Sequence, residues 1–226
     1  MTSNLYAAIL ERIMGGELAP GQRLVEEELA RDYGVSRTPI RDVLLALRKD
    51  GLVHQVRNRG ATVATFTATD VEELYDIRKA LEVFCVPPLV HSGRWGDLLE
   101  LRRRMLALEG KSGAPWRDAH AALDLDLHRV IVSSSNNRRL IRYMDTFGVL
   151  VGSLQVASHR HDRSEAHVVE TGRQHLRIVQ MLLDRDVQLA QQLLDEHIEF
   201  GKRNAVELFL RIRDGEVLTH PSSLAT

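Results

Sequence analysis

The chain has 226 residues, enough for two domains that each bury a core, and its formal net charge is −1. Such a chain has no overall positive field that would drive nonspecific nucleic-acid binding, so a DNA-binding function has to rest on local basic clusters. The single cysteine, Cys85, excludes an internal disulfide framework. The N-terminus lacks a signal-peptide pattern and no apolar run approaches the ~20 residues that span a bilayer, so we expect a cytoplasmic protein with no membrane partner.

Residues 24–49 show the pattern of two helices joined by a tight turn. A short helix closes at Gly34, and a longer helix opens at Ser36, whose hydroxyl is expected to cap the first turn. Apolar residues at positions 40, 43, 44 and 47 follow the spacing of a buried helix face. The pattern predicts a helix-turn-helix held by a small core.

Basic residues of this region concentrate on the second helix and on a hairpin predicted behind it. The β-prone runs 52–56 and 61–64 flank a basic tip that contains Gly60. A hairpin of this kind, or wing, beside a cationic helix is typical of a module that docks into a DNA groove. The basic residues that carry this prediction are Arg37, Arg41, Arg48, Arg57 and Arg59.

Leu29-Ala30, Gly34 to Arg41 and Leu47 to Leu52 resemble the winged-helix signature of the GntR family of bacterial transcription regulators, over about residues 5 to 66. In that family the positions matching Arg37, Thr38 and Arg41 contact operator bases or phosphates, and the wing position matching Gly60 approaches the minor groove. Glu27 departs from the family pattern, because some relatives have a DNA-contacting arginine there. With Ser36 of the signature, the DNA-binding set is Ser36, Arg37, Thr38, Arg41, Arg48, Arg57, Arg59 and Gly60.

Beyond the wing, periodic apolar segments predict an antiparallel all-α helical bundle. Thr69 is expected to cap its first helix, Pro87-Pro88 to end that helix, and Gly172 is a potential break in the fifth. The domains are then 1–66, a winged helix-turn-helix, and 67–213, the bundle, before a tail, 214–226, expected to be disordered. The six predicted helices span 70–86, 97–109, 116–133, 137–157, 166–184 and 186–212.

Four polar residues occupy core positions of this bundle. Asp124 and His128 are four residues apart and share a helix face, while His175 and His197 lie on the apolar faces of two later helices. A buried, unpaired carboxylate is costly, and convergence on a divalent cation would satisfy all four groups. Any one of these histidines, taken alone, is more often a hydrogen-bonded core residue. Asp124 also lies four residues after His120, and the sequence leaves open which histidine it pairs with.

The pattern Asp124-x-x-x-His128, His175 and His197 resembles the metal-binding pattern of the FCD ligand domain of FadR-type GntR regulators, over about residues 70 to 213. The six-helix count is similar to that of the shorter branch. The resemblance implies one divalent ion per chain, held by Asp124, His128, His175 and His197. Zinc is the first expectation, with nickel or manganese as alternatives.

Arg78 lies on the apolar stripe of the 70–86 helix, so its guanidinium needs an anionic partner. One possible partner is Glu82, in a structural salt bridge. The family resemblance implies another: a small carboxylate effector bound between Arg78 and the metal.

The predicted protein is a ligand-responsive repressor that binds a palindromic operator in double-stranded DNA as a homodimer, and it is not an enzyme. A metal-dependent hydrolase with the three-His, one-Asp site is an alternative, disfavoured because no His-Glu-x-x-His helix is present. A metal-free regulator of the acyl-CoA type is a second alternative, disfavoured by the intact set of four metal-ligating residues.

Overall fold

The computed structural model of the protein describes residues 2–14, 17–56, 60–65, 67–144 and 165–213. They divide into two units, each described here by itself. The first unit comprises the described residues up to 65 together with 142–144. The second comprises Thr67–Ile141 and the described residues from 165 onward.

The first unit is a small three-helix core with a three-stranded antiparallel sheet, in the strand order β1-β3-β2. Val53 pairs with Val63 and Val56 with Gly60 across the predicted hairpin. Ile9, Ile40 and Leu47 are fully buried in the core between the helices. The elements are α1 (Thr2–Met14), β1 (Arg23–Leu24), α2 (Glu26–Asp32), α3 (Arg37–Lys49), β2 (Val53–Val56) and β3 (Gly60–Val63).

The turn between α2 and α3 forms as the sequence predicts, but the cap at Ser36 does not. Gly34 has φ +63°, in the left-handed region that a side chain disfavours, and Val35 N–H donates to Ala30 C=O at 3.0 Å. Ser36 is the N-cap residue of α3, yet its side chain makes no capping hydrogen bond. Pro39, the third residue of the helix, has no N–H, so one of the two backbone donors that a capping side chain uses is absent.

Helix α1 and strand β1 were not identified from the sequence. Strand β1 has only two residues, with Leu24 opposite Ala61 of β3, too short for an alternating pattern. Helix α1 is joined to the end of α3 by Tyr6, whose hydroxyl donates to Asp50 Oδ2 at 2.5 Å. Burial, then this hydrogen bond and the charge of Asp50, raise the pKa of Tyr6 above its usual value.

The second unit consists of long helices, as the periodicity predicts, so the prediction of a winged helix-turn-helix followed by an all-helical bundle is confirmed. Helix α4 packs against α9, and α8 packs against both α5 and α9. No helix within the described ranges is long and apolar enough to cross a membrane. The helices of this unit are α4 (Ala68–His91), α5 (Trp95–Leu106), α6 (Ala114–Ser133), α7 with 138–141 in this unit, α8 (Glu165–Asp184) and α9 (Val187–Arg213). Residues 145–157 of the fourth predicted helix and the predicted tail, 214–226, lie outside the described residues.

Helix α4 differs from the prediction at its start. Thr67, not Thr69, is the N-cap, because its hydroxyl accepts from Asp70 N–H while the Asp70 carboxylate accepts from Thr67 N–H. This reciprocal capping box fixes the first turn two residues earlier than expected.

Pro87 and Pro88 do not end α4, which continues to His91. A proline leaves the carbonyl four residues earlier without its helical donor, which for Pro87 is that of Val83. Gln191 of α9 supplies the missing donor, since its Nε2 lies 3.1 Å from Val83 O. The prediction of a break was wrong because this compensating amide comes from a distant part of the chain.

Gly172 does not break α8, which is continuous from Glu165 to Asp184. A Cβ at Gly172 would lie 2.7 Å from Cε1 of His120, which packs directly on the helix backbone. The glycine therefore serves a close approach between α6 and α8 rather than a turn.

Candidate metal centre and DNA-binding surface

Four side chains from three helices converge inside the second unit. Asp124 and His128 come from α6, His175 from α8 and His197 from α9, and all four are buried. One potential ligand atom from each lies within 4.8 Å of all the others. The structure thus brings together all four residues predicted as metal ligands.

The distances within this group match those of ligands around one ion. Asp124 Oδ1 lies 3.0 Å from His175 Nε2, 3.6 Å from His128 Nε2 and 3.8 Å from His197 Nε2. His197 Nε2 lies 3.2 Å from His175 Nε2 and 3.3 Å from His128 Nε2. Tetrahedral ligands about 2.0 to 2.1 Å from zinc are roughly 3.3 Å apart. The donor set, three imidazoles and one carboxylate, therefore fits a divalent ion in both chemistry and spacing.

Groups behind the rings fix their orientation. His197 Nδ1 donates to Gln174 Oε1 at 2.9 Å, and His128 Nδ1 is hydrogen-bonded to the carboxylate of Glu82. A ring whose Nδ1–H is held in this way presents a bare Nε2 lone pair to the centre. Gln174 gave no signal in the sequence because it is one polar residue among many on α8.

Burial also prepares two of the rings for coordination. It lowers the pKa of His197 well below its usual value, with the neighbouring His175 and His128 adding to the effect. Burial likewise lowers the pKa of His175 more than Asp124 raises it. Both imidazoles are therefore neutral at physiological pH, the state that binds metal.

Asp124 remains ionised. Burial would raise the pKa of its carboxyl, but hydrogen bonds from His128 and His175 hold that pKa well below its usual range. The structure also decides the pairing that the sequence left open. Asp124 Oδ1 lies 3.6 Å from His128 Nε2. His120 instead packs edge-to-face on Trp116, with ring centroids 4.8 Å apart.

Arg78 is buried beside the cluster and is paired with Glu82. Its Nε donates to Glu82 Oε1 at 2.8 Å, while Glu82 Oε2 holds His128. Burial alone would lower the pKa of Arg78, but the charges of Glu82 and Asp124 raise it, so the guanidinium is a permanent cation. Of the two partners considered for Arg78, the structure thus contains the salt bridge.

The predicted DNA-binding residues of the first unit lie on its surface where they are described. Ser36, Arg37, Thr38 and Arg41 are exposed at the start of α3, and Arg48 is exposed near its end. Gly60 begins β3 with φ +76° and open space where a side chain would be. Arg57 and Arg59 lie outside the described residues.

Two glutamates of α2 contact arginines of α3, which the sequence did not predict. Arg41 Nε donates to Glu26 Oε2 at 2.6 Å, and Arg37 Nη2 lies 2.8 Å from Glu27 Oε2. All four side chains are at least one-third exposed, with fractions from 35 to 71%. The only signal in the sequence was the acidic run Glu26 to Glu28 preceding a basic helix.

Comparison with known proteins agrees with this architecture. Residues 1–63 match the bacterial regulatory proteins of the gntR family, and residues 73–200 match the FCD domain. Together these domains define a class of DNA-binding transcription regulators with a helical ligand domain. The chain belongs to the GntR family and carries an FCD domain.

Individual relatives point to the same class. The HTH-type regulator YdhC of Bacillus subtilis is 28% identical, over 85% of this chain and 85% of its own length. The gluconate operon transcriptional repressor of Bacillus licheniformis is 26% identical, over 66% of this chain and 61% of its own length.

Two solved structures share the fold. Escherichia coli McbR/YncC covers 92% of this chain and 98% of its own, with a TM-score of 0.73 at 21% identity. The zinc-bound FCD domain of TM0439 covers 64% of this chain and 96% of its own, with a TM-score of 0.50 at 19% identity.

The predictions of family and fold are confirmed by these matches. The matched domains and relatives are transcription regulators, so this protein is a regulator and not an enzyme. The alternative of a metal-dependent hydrolase is set aside on the same ground.

Proposed function

We propose that this protein is a metal-containing repressor that binds a palindromic operator as a homodimer and senses a small organic acid. Residues 1–66 form the DNA-binding domain and residues 67–213 the sensing and dimerising domain, in a cytoplasmic protein. The observation that carries the proposal is the buried convergence of Asp124, His128, His175 and His197. A cluster of this kind in a regulator's ligand domain serves sensing rather than catalysis.

The cluster would hold one divalent ion per chain. Three imidazoles and a carboxylate suit zinc, with nickel and manganese as alternatives, and the ion supplies an open coordination position for an anion. The zinc-bound relative TM0439 supports zinc as the first candidate. The same four residues argue against the metal-free, acyl-CoA type of regulator, because three histidines and an aspartate have no role in that alternative.

Arg78 would supply the second anchor of a carboxylate effector. Its contact with Glu82 uses Nε, and the guanidinium is buried beside the candidate metal ligands. A guanidinium can bind a carboxylate through two parallel hydrogen bonds. The effector would therefore bridge Arg78 and the metal ion.

The dimer would form through an apolar stripe on α4. Leu74, Ile77, Leu81, Phe84 and Pro88 follow the alternating 3, 4 spacing of one helix face, opposite the buried face that packs on α9. Ile77 is 38% and Phe84 61% exposed, which is unusual for large apolar side chains on one helix. A two-fold interface on this face would pair two winged helices with a palindromic site whose halves lie about 34 to 36 Å apart.

On DNA, α3 would enter the major groove with Arg37, Thr38 and Arg41 at base edges or phosphates, preceded by Ser36. Arg48, with Arg57, Arg59 and Gly60 of the wing, would contact the backbone or the adjacent minor groove. The gluconate operon repressor among the relatives supports the proposal that this protein represses transcription. Effector binding would then shift the separation of the two recognition helices, so that both half-sites are no longer engaged at once.

The DNA-binding proposal is tested by selecting binding sites from a random duplex library with the purified protein. We expect a palindrome with half-sites about one helical turn apart, and a loss of about 1 to 3 kcal/mol of binding free energy for Arg37→Ala or Arg41→Ala. Selection of no preferred sequence would refute a sequence-specific regulator.

The metal and effector proposals are tested by elemental analysis and ligand titration. We expect about one divalent ion per chain, lost in the His175→Ala, His197→Ala double variant. A panel of mono-, di- and tricarboxylates should shift the melting temperature of the wild type but not of Arg78→Lys, which keeps the charge that Glu82 requires. Full metal content in the double variant would refute the site.

The dimer proposal is tested by sedimentation. Phe84→Glu should yield a monomer, while Leu99→Glu, which alters an equally apolar and 52% exposed residue of α5, should not. A dimeric Phe84→Glu variant would exclude the α4 stripe as the interface.

A further inference from the structure

The helix-turn-helix carries no net charge although its recognition helix is cationic. Residues 26–49 contain five basic and five acidic residues. Most of a DNA-binding protein's nonspecific affinity comes from neutralising phosphates, and a neutral module gives up that contribution. The acidic residues of α2 oppose this contribution, so we expect them to have a function at the DNA-binding surface.

We infer that Glu26 and Glu27 are specificity-determining positioning residues, which hold Arg41 and Arg37 for base contacts and oppose their binding to phosphates. The inference rests on the proposed operator binding. It follows from the two ion pairs across the turn, 2.6 Å for Glu26 with Arg41 and 2.8 Å for Glu27 with Arg37.

Stability of the fold does not account for these pairs. Ion pairs between exposed side chains contribute little to folding, because the charges are screened and two long side chains must be ordered. Negative charge at the start of α2 favours the helix dipole, but Glu28 supplies it equally from the same first turn. Glu28 has no ion pair in the described structure, so the arginine contacts distinguish Glu26 and Glu27 from it.

The geometry at Arg41 suits base recognition. Glu26 occupies Nε, which leaves both terminal nitrogens for the two acceptors of a guanine edge in the major groove. An arginine held in this way loses less conformational freedom when it binds a base. A bare phosphate, by contrast, has to approach the Glu26 carboxylate as well as the guanidinium.

At Arg37, the acceptor groups of DNA have to compete with Glu27 for the guanidinium, and this competition can distinguish operator from nonoperator DNA. Glu27 contacts Nη2, one of the nitrogens that an incoming acceptor would need. A site on DNA has to replace that contact, and a well-placed base does so better than a mobile, hydrated phosphate. Nonoperator DNA is therefore disfavoured more than the operator at this position.

The test compares three variants that each replace a glutamate of α2 by the uncharged glutamine: Glu26→Gln, Glu27→Gln and the control Glu28→Gln. Each adds the same charge to the same helix turn, but only the first two remove an arginine contact. The probes are the duplex selected from a random library by the wild type and a scrambled duplex of equal length and composition. Circular dichroism and melting temperature establish that all three variants are folded.

We expect the ratio of operator to scrambled-duplex affinity to fall about threefold or more below that of Glu28→Gln in both test variants. In Glu27→Gln, the slope of log affinity for the scrambled duplex against log salt should steepen by up to about one, as Arg37 gains a phosphate. In an Arg41→Ala background, Glu26→Gln should lower the ratio no further, because it acts through Arg41.

The inference would be overturned by equal ratios of operator to scrambled-duplex affinity in all three variants, or by an undiminished effect of Glu26→Gln in the Arg41→Ala background. Neither result would contradict the proposal that the protein binds an operator. If the wild type selects no sequence, operator binding itself fails. The two failures are thus distinguishable.

Discussion

Glu82 lies in the core of the second unit between the Arg78 guanidinium and the His128 ring. Burial would raise the pKa of its carboxyl, but His128 and Arg78 lower it. Glu82 and Asp124 in turn raise the pKa of His128 against the effect of burial. Removing a member of this network leaves a buried charged group without its partner. The orientation of His128, a candidate metal ligand, therefore depends on Arg78 and Glu82, which are not among the candidate ligands.

Glu82→Gln should weaken zinc binding about 10- to 100-fold, because the neutral amide is a poorer acceptor for His128 Nδ1–H and holds the ring less firmly. Competition with a chromophoric chelator measures the affinity. Glu73→Gln, at an exposed position of the same helix, is the control and should bind as the wild type does. Equal affinities in both variants would show that Glu82 does not support the site.

Cys85 should resist alkylation while the protein is folded. Burial, and then the charge of Glu82, raise the pKa of its thiol to about 11. At pH 8 only about one in a thousand Cys85 side chains is then in the reactive thiolate form, and the side chain is also buried. Mass spectrometry after iodoacetamide should find no adduct on native protein and one adduct in denaturant, since the chain has one cysteine. Native labelling at the denatured rate would contradict the burial of this thiol.

At the scale of helices and strands, the elements with strong internal periodicity could be predicted from the sequence. The four candidate ligands were also predictable as a group, because they lie at core positions of three helices and match the pattern of the family that the chain resembles. Features that depend on distant partners could not be predicted. Gln191 sustains α4 across Pro87, and His120 requires a glycine at 172, and both contacts join helices far apart in the chain.

Gln191→Ala should lower the stability of the second unit by about 1 kcal/mol, because Val83 C=O loses the donor that replaces the proline's missing N–H. For a protein of this size the melting temperature should fall by roughly 2 to 4 °C. Gln192→Ala is the matched control, since its amide makes only an exposed contact with Glu196. An equal change in both variants would mean that the Val83 contact contributes nothing to the helix.

At the scale of the whole molecule, the described residues divide into two units, each with buried residues of its own. Leu5, Ile9, Ile40 and their neighbours form the core of the first unit, while all four candidate ligands belong to the second. A ligand that binds one folded unit stabilises that unit by an amount set by its concentration and affinity. Metal should therefore act on the two units unequally.

Calorimetry should show two unfolding transitions. Zinc should raise the midpoint temperature of only one of them. At zinc concentrations about a hundredfold above the dissociation constant, the bound state is stabilised by about 2.7 kcal/mol, a shift on the order of 10 °C for a domain of this size. The His175→Ala, His197→Ala double variant should show both transitions and no zinc-dependent shift, which identifies the moving transition as that of the second unit. A single transition, or an equal shift of both, would mean that the two units unfold together, so that metal stabilises the DNA-binding unit as much as the domain that holds it.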